Sequence, residues 1–437
     1  MENGKEQSGK EQNGKGQPDT PNKFQRKALQ VPVAQEKALA YVQPGETEII
    51  SLKESDGRIL AADVIAPHPY PAFRRSGMDG YAVRSEDTLA CEEGETVWLK
   101  VVDHIPCGYV SSVPITEGTT SRIMTGAQVP DGADAVVMLE ATESRSENGE
   151  TYIGLKRAIE PGKNVTPRGF ELQEGELILA KGREIGPGEI SVLATFGVHE
   201  VEVYRRPVVG IFSTGTELLD IDEPLQPGKI RNSNTYMLAA QIREAGGTPV
   251  VMEAIPDDIE LARSKVASAL QEYDIVVTTG GVSVGDYDIM GELVASGGVD
   301  MLFNKVTMRP GSVTTAAVKD GKLLFALSGN PGACFVGFLL FVRPAIRKKL
   351  GMTQLHLAEW TAELGADYSK VNNFTRFVRG RLGVREGRLV ATPAQLDESS
   401  VMVTIKDSEC LIVIPPELKG ASKGHPVTVL VLPGAWS

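Results

Sequence analysis

The run Thr278-Thr-Gly-Gly-Val-Ser-Val-Gly-Asp-Tyr-Asp288 gathers the residue types that phosphate chemistry uses. Gly280 and Gly281 follow an apolar run and let backbone approach a bulky ligand. Their N–H groups, with those of the next helix and the Ser283 hydroxyl, suit an anion. Asp286 and Asp288 add carboxylates. Pure anion binding has no use for these, whereas a metal that bridges protein to phosphate does. An ordinary strand-to-helix turn accounts for the two glycines but not for the acids and the serine beside them.

Five further segments carry weaker signals. In Lys305-Val-Thr-Met-Arg-Pro-Gly311, two cations stand four apart before Pro310 and Gly311, an arrangement that can hold phosphate or another oxyanion. Taken alone it reads as a solvated basic edge strand. In Leu327-Ser-Gly-Asn-Pro-Gly332, Ser328 and Asn330 lie at the start of a helix, where an anion is again favoured; a tight turn explains them equally well. Ser213-Thr-Gly-Thr-Glu-Leu218 puts Glu217 at the carboxyl end of a strand. Asp257 begins a later helix at the same edge, where plain helix capping is the simpler role. Ser76-Gly-Met-Asp-Gly-Tyr-Ala-Val-Arg84 contains Asp79-Gly80, which by itself is a turn. Arg122-Ile-Met-Thr-Gly-Ala-Gln-Val-Pro-Asp-Gly132 contains Thr125 and reads as a strand ended by a Pro-Asp-Gly turn. No GxxxxGK[ST], GxGxxG opening a βαβ unit, or HExxH is present, and the five histidines are scattered. P-loop, dinucleotide, zinc and histidine-triad chemistry are therefore disfavoured.

These residues need elements to position them. Over 206–350, Val208-Val-Gly-Ile-Phe212, Pro249 to Ile255 and Asp274 to Thr279 read as strands. Tyr236 to Ala245, preceded by the capping-type run Asn232-Ser-Asn234, and Asp257 to Tyr273 read as helices. Such alternation implies a mostly parallel sheet covered on both faces, with ligands beyond the carboxyl ends of its strands. From 75 to 160, short β-rich runs (Thr96 to Val102, Ser121 to Met124, Ala135 to Leu139) alternate with Gly and Pro. Helical patterns at Val33 to Val42 and Glu189 to Phe196 flank that region. After Gly351 the pattern is all-β: a hairpin at Arg385-Glu-Gly387, then strands Val401 to Ile405, Cys410 to Ile414 and Val427 to Leu432. The expected fold is multidomain α/β plus β. A polar five-residue repeat forms a disordered tail over 1–27; 28–70 and 161–205 make a discontinuous elongated linker and dimerisation domain. Residues 71–160 form an inserted β-rich domain, 206–350 the doubly wound α/β domain, and 351–437 a small β-barrel.

The chain has 437 residues and a formal net charge of -12, which argues against nucleic acid and anionic membrane as partners. No apolar run approaches the ~20 residues of a membrane span, and the polar N-terminus lacks a secretory signal. Four distant cysteines without a CxxC fit a reducing compartment, so a cytoplasmic enzyme is expected.

Together, and in their order along the chain, the six segments resemble the MoeA family of molybdopterin molybdenumtransferases, which includes the C-terminal half of gephyrin. The similarity runs from about Val33 to the end. Each motif is weak; the ordered set is highly specific. The resemblance implies a MogA-like α/β domain and a homodimer. It also implies a site in the cleft between that domain and the inserted β-domain of the other subunit. It implies insertion of molybdate into adenylated molybdopterin with Mg²⁺-dependent release of AMP. Catalytic roles would fall to Glu217, Asp79, Asp257 and Asp288, with Glu217, Asp257 and Asp288 also holding Mg²⁺. Substrate binding would fall to Thr125, Gly280, Gly281, Ser283, Lys305, Arg309, Pro310, Gly311, Ser328 and Asn330. A molybdopterin adenylyltransferase is the implied partner enzyme.

The sequence departs from the family pattern at Thr216, where Asp is frequent, and at Arg309, where Lys is common. It departs also at Thr166-Pro-Arg168, a stretch often richer in Arg, and at Glu171, which replaces an Asp. Two other readings compete. A molybdopterin adenylyltransferase would share only the fold of 206–350, and a gephyrin-like scaffold would not need the carboxylates.

Overall fold

The computed structural model describes residues 27–254, 258–280, 298–371 and 373–435. Asp257, Gly281, Ser283, Asp286 and Asp288 lie outside the described residues. The chain forms two compact units, residues 47–203 and the remainder. It enters the larger unit through helix α1 (Val31–Leu39), whose first turn carries Pro32 and which buries Val31, Ala34 and Ala38. It then builds the smaller unit and returns.

The smaller unit contains a six-stranded sheet of β1 (Gly80–Val83), β2 (Val97–Ile105), β3 (Thr119–Ile123), β4 (Ala135–Met138), β5 (Glu143–Glu147) and β6 (Glu150–Leu155), in the order β4-β1-β3-β2-β6-β5. Alternate residues of β1, β3 and β4 feed two apolar clusters. Ala82, Ile105, Ile123 and Val136 pack on one face; Val83, Leu99, Val137 and Ile153 pack on the other. The chain before and after this sheet forms its own core of Leu60, Leu179, Ile185, Leu193, Val201 and Val203, helped by helix α2 (Pro187–Thr195). The segments on either side of the sheet thus share one core, while helix α1, expected to belong with them, packs in the larger unit.

The larger unit holds the α/β sheet. Its strands are β7 (Val208–Ser213), β8 (Thr248–Val251), β9 (Ile275–Thr279), β10 (Asp300–Phe303), β12 (Thr315–Lys319) and β13 (Lys322–Leu327), ordered β8-β7-β9-β13-β12-β10. Strands β8, β7, β9 and β13 run parallel, and β12 pairs antiparallel with β13 and β10. The β12–β13 turn is Asp320-Gly321, both with positive φ, a hairpin signal that a purely βα reading passes over. Helices α3 (Asn234–Glu244) and α4 (Ile259–Glu272) cover the sheet. The side chain of Asp258 accepts from Leu261 N–H at 3.0 Å, so Asp258 is the cap of α4. Helix α5 (Pro331–Gly337) continues through a π-helical turn at Phe338–Val342 into α6 (Arg343–Lys349).

The C-terminal region closes into a five-stranded barrel of β14 (Ala358–Leu364), β15 (Thr375–Arg385), β16 (Arg388–Pro393), β17 (Cys410–Ile414) and β18 (Pro426–Val431). The β15–β16 hairpin turns at Glu386 and Gly387, as expected, while β11 (Met308–Arg309) adds in parallel to β15. One expected strand is absent. Val401 to Ile405 forms turns and the start of a 3₁₀ segment instead. Met402 and Val403 are exposed, so this apolar run has no core to enter, and the Val401 carbonyl is taken by the Arg379 guanidinium rather than by a neighbouring strand.

Candidate functional site

In the smaller unit, Asp79 sits in the turn that enters β1, and Thr125 follows β3. Asp79 Oδ1 accepts from both the backbone N–H and the hydroxyl of Thr125, at 2.7 Å each. These bonds, the backbone one foremost, hold the carboxyl below its ordinary range. The neighbouring glycine is forced by packing: a Cβ on Gly80 would lie 1.9 Å from the Val137 carbonyl oxygen. The turn therefore abuts the sheet directly, and Asp79 and Thr125 are both exposed at its rim.

In the larger unit, the carboxyl ends of β7, β9 and β13 bring together Ser213 to Glu217, Thr279-Gly280 and Ser328 to Asn330. Gly280 has φ of 90°, and a Cβ there would meet the Thr214 carbonyl oxygen at 2.6 Å. Asn234, at the start of α3, does not cap its helix with its side chain. Its Nδ2 donates to Thr279 Oγ1 and to the Gly329 carbonyl, both at 2.8 Å, which ties two strand tips together. Asn232 Nδ2 donates to Ser213 Oγ at 2.9 Å. The run Asn232-Ser-Asn234 thus serves the strand ends more than the helix. Asn234 Oδ1 and Thr214 Oγ1 are buried and have no partner among the described residues. Glu217 is exposed, in a loop whose backbone is fixed by the bond from Ile230 N–H to the Glu217 carbonyl at 2.9 Å.

Within the same unit, a cavity of about 520 Å³ opens beside these tips. It is lined by Arg309, Pro310 and Gly311, by Ser328 and Asn330, and by Lys370, Arg376 and Ser399 from the barrel. Arg309 and Arg376 pair in register across the parallel β11–β15 ladder. The Arg309 guanidinium lies over the Phe374 ring, 5.6 Å from its centre. Arg376 Nη1 donates to Tyr368 Oη at 3.2 Å, and its buried Nε has no partner among the described residues. The two carboxylates at this cavity are engaged. Asp397 accepts from Tyr368 Oη at 2.5 Å and from Lys370, and Glu398 accepts from Lys370 at 3.0 Å. The arginines are left as the cations able to meet an incoming anion. Lys305 approaches by its backbone: its carbonyl accepts from Leu29 N–H at 3.0 Å, which anchors the strand leading to Arg309.

Three family models cover most of the chain: the MoeA N-terminal region, domains I and II, over 29–197; a probable molybdopterin binding domain over 210–348; and the MoeA C-terminal region, domain IV, over 361–432. The molybdopterin molybdenumtransferase of Bacillus subtilis is 46% identical over 407 residues, 93% of this chain and 95% of that protein. The chain belongs to the MoeA family. The molybdopterin molybdenumtransferase of Staphylococcus aureus strain Mu50 is 40% identical over 87% of this chain and 90% of its own length. The crystal structure of the molybdopterin biosynthesis MoeA protein from Pyrococcus horikoshii superposes with a TM-score of 0.80 at 29% identity, covering 93% of this chain and 100% of that one.

Within that family, the departures acquire local explanations. Thr216 removes one carboxylate from the loop, and Lys229 Nζ donates to the Thr216 carbonyl there. Glu171 pairs with Arg75 at 3.0 Å, and Arg75 stands opposite Thr166 in an antiparallel ribbon. The sequence motifs miss Arg376, Lys370, Ser399 and Asn234. The first three sit in a region whose β pattern carried no motif; the signal available was the four arginines, Arg376, Arg379, Arg381 and Arg385, gathered in one strand. Among the described residues, no three His, Cys, Asp or Glu side chains gather closely enough to hold a metal ion. Of the three candidate Mg²⁺ ligands, Glu217 lies among the described residues and Asp257 and Asp288 lie outside them.

Proposed function

We propose that this chain is a molybdopterin molybdenumtransferase that inserts molybdate into adenylated molybdopterin and releases AMP. The observation that supports this best is the cavity in which Arg309 and Arg376 stand in register, with Pro310-Gly311, Ser328 and Asn330 completing its wall. Four sequence-distant segments converge there on a lining in which three cations, Arg309, Arg376 and Lys370, face two carboxylates that Lys370 engages. Molybdate, a tetrahedral dianion, is matched by the fork of a guanidinium. The glycine-lined strand tips next to it suit the phosphate of the pterin.

In this reading, a water attacks the pterin phosphate and breaks the phosphoanhydride P–O bond, freeing AMP; as the two dithiolene sulfurs bond to molybdenum, their two protons leave with one molybdate oxygen as water. Arg309, Arg376 and Lys305 stabilise anionic charge that grows at phosphate and molybdate. Glu217 or Asp79 orients a water or carries a proton, and Thr125 keeps Asp79 ionised and aimed. Gly280, Gly281 and Ser283 receive the pterin phosphate. Bound Mg²⁺ would be held by Asp257, Asp288 and Glu217, where it would neutralise charge on the diphosphate. A separate adenylyltransferase would supply the substrate. The reading assigns the chain to the cytoplasm. All four cysteines are unpaired, and no described helix is long and apolar enough to cross a membrane.

We also propose a homodimer formed through the smaller unit. Ile65 and Leu177 face each other in register across a two-stranded ribbon, yet are 48% and 51% exposed. Phe170 and Ile49, in the same unit, are each 71% exposed. The exposed apolar pair Ile65 and Leu177 is the kind of feature that marks an interaction surface.

The test is incubation of the purified chain with adenylated molybdopterin, Mg²⁺ and molybdate, scoring AMP and reconstitution of an apo-molybdoenzyme. Molybdate-dependent AMP release is expected. Adenylation of pterin by ATP would favour the adenylyltransferase reading, and tight peptide binding with no AMP release would favour a scaffold.

A further inference from the structure

Arg379 has no place in the chemistry described so far, and its setting is unusual. Its neighbour Val378 belongs to the barrel core, so residues 377 and 379 of β15 face out of the barrel. An outward-facing arginine is normally solvated, yet Arg379 is 1% exposed. It is covered by the chain from Asp397 to Val401 and by the start of α5. Nη1 donates to the Val401 carbonyl at 2.6 Å, and Nη2 donates to the Glu398 carbonyl at 3.1 Å. It forms no ion pair among the described residues. A buried guanidinium is costly unless its bonds are good, and an aliphatic side chain would cover the barrel at lower cost. What the arginine adds is a two-point clamp on one irregular loop.

That loop is a wall of the cavity. Between the two clamped carbonyls lies Ser399, whose carbonyl accepts from Gly332 N–H at 2.8 Å and whose hydroxyl accepts from Asn330 Nδ2 at 3.3 Å. Asp397, just before it, holds Lys370 and Tyr368, and Tyr368 receives Arg376. Gly332 completes the arrangement. A Cβ there would lie 3.0 Å from both Arg379 Nη1 and the Ser399 carbonyl oxygen, so any larger residue would push the clamp back by a few tenths of an ångström. This accounts for the last glycine of the Gly-Asn-Pro-Gly motif, which a tight turn alone does not.

We infer that Arg379 is a positioning residue: packed against Gly332, it clamps residues 398–401 to the start of α5 and so fixes the cavity that binds the oxyanion. The inference rests on reading that cavity as the molybdate site. Arg379 touches no substrate; it acts through Ser399, Lys370 and Arg376.

The test uses the full chain with Arg379→Met, Arg379→Lys and Gly332→Ala, and Arg376→Ala as reference. Backbone amide exchange is followed by mass spectrometry, with KM for molybdate and for adenylated molybdopterin and kcat measured in parallel. Arg379→Met is expected to speed exchange in 397–401 and to raise KM for molybdate about tenfold, with kcat and the pterin KM within about twofold of wild type. Arg379→Lys, which keeps one donor, should recover part of both effects. Gly332→Ala, which crowds the same clamp, should shift KM for molybdate in the same direction. It decides the matter if Arg379→Met does not fold. A folded Arg379→Met with unchanged exchange overturns the clamp, and faster exchange with a wild-type KM for molybdate overturns its role in positioning. If Arg376→Ala raises KM for molybdate and the Arg379 and Gly332 variants do not, only this inference fails. If Arg376→Ala also leaves that KM unchanged, the cavity is not the molybdate site and the functional reading fails with it.

Discussion

Asp79 Oδ1 receives two hydrogen bonds from a single residue, the N–H and the hydroxyl of Thr125. Both favour the ionised carboxylate, so its folded pKa lies below the ordinary 3.8. With a depressed folded pKa, the interaction is fully present above the ordinary value and is lost as pH falls through the folded one. Thr125→Ala keeps the N–H bond but removes the hydroxyl. The acid limb of the pH–rate profile should then move to higher pH, toward the ordinary carboxylate value, while rates near neutrality change through geometry alone. An acid limb that stays in place or moves down would separate Asp79 from the rate-controlling ionisation.

Glu217 is exposed, and its carboxylate lies over Gly215, where the isosteric amide of glutamine fits as well. Glu217→Gln should therefore leave stability within about 0.5 kcal/mol of wild type, as for surface substitutions away from special features. Molybdate-dependent AMP release should nonetheless fall by about two to four orders of magnitude, the span a positioned acid or base contributes. Asp288→Asn is expected to behave alike. Wild-type turnover in both variants would remove these carboxylates from the mechanism.

Asn234 is 8% exposed and joins the tip of β9 to the loop after β13 through one side-chain amide. Asn234→Ala leaves Thr279 and the Gly329 carbonyl short of a donor, which costs about 1–3 kcal/mol for buried polar groups. Urea denaturation should show that loss without a change in m-value, and KM for the adenylated pterin should rise as the strand tips loosen. An unchanged midpoint would mean that water replaces the amide and that the tie is dispensable.

The α/β domain was legible because its strands are continuous apolar runs, α3 stops at Gly246-Gly247 and α4 starts with an acid, so pattern and burial agree at β7, α3 and β9. The barrel was legible in outline from Glu386-Gly387 and Cys410 to Ile414. The expected Val401 to Ile405 strand failed for a specific reason: local apolar content cannot report that a distant arginine, Arg379, has taken the carbonyls such a strand would pair. The same blindness hid half of the cavity. Arg309, Ser328 and Asn330 carry motif signals because glycine and proline mark their turns. Arg376 and Ser399 reach the cavity only through the β11–β15 ladder and the loop clamp, which are long-range facts.

Ile65 and Leu177 offer the most direct test of the proposed dimer. They stand opposite each other in an antiparallel ribbon with about half of each side chain in water. Burying the exposed half of such a residue contributes about 1 kcal/mol, half of the full-burial value, and a two-fold dimer buries four of them, so the pair is a natural centre for an interface. Ile65→Glu together with Leu177→Glu replaces that gain with two like charges, related by the dimer axis to two more. A loss of about 4 kcal/mol is roughly a thousandfold in dissociation constant. Because both side chains already meet solvent in the single chain, the double variant should keep its unfolding midpoint once the dimer contribution is allowed for. Sedimentation equilibrium of wild type should give twice the chain mass, and the variant should give the chain mass at the same micromolar concentration. A variant that stays dimeric would move the interface elsewhere, and a wild-type chain that sediments as a monomer would end the proposal.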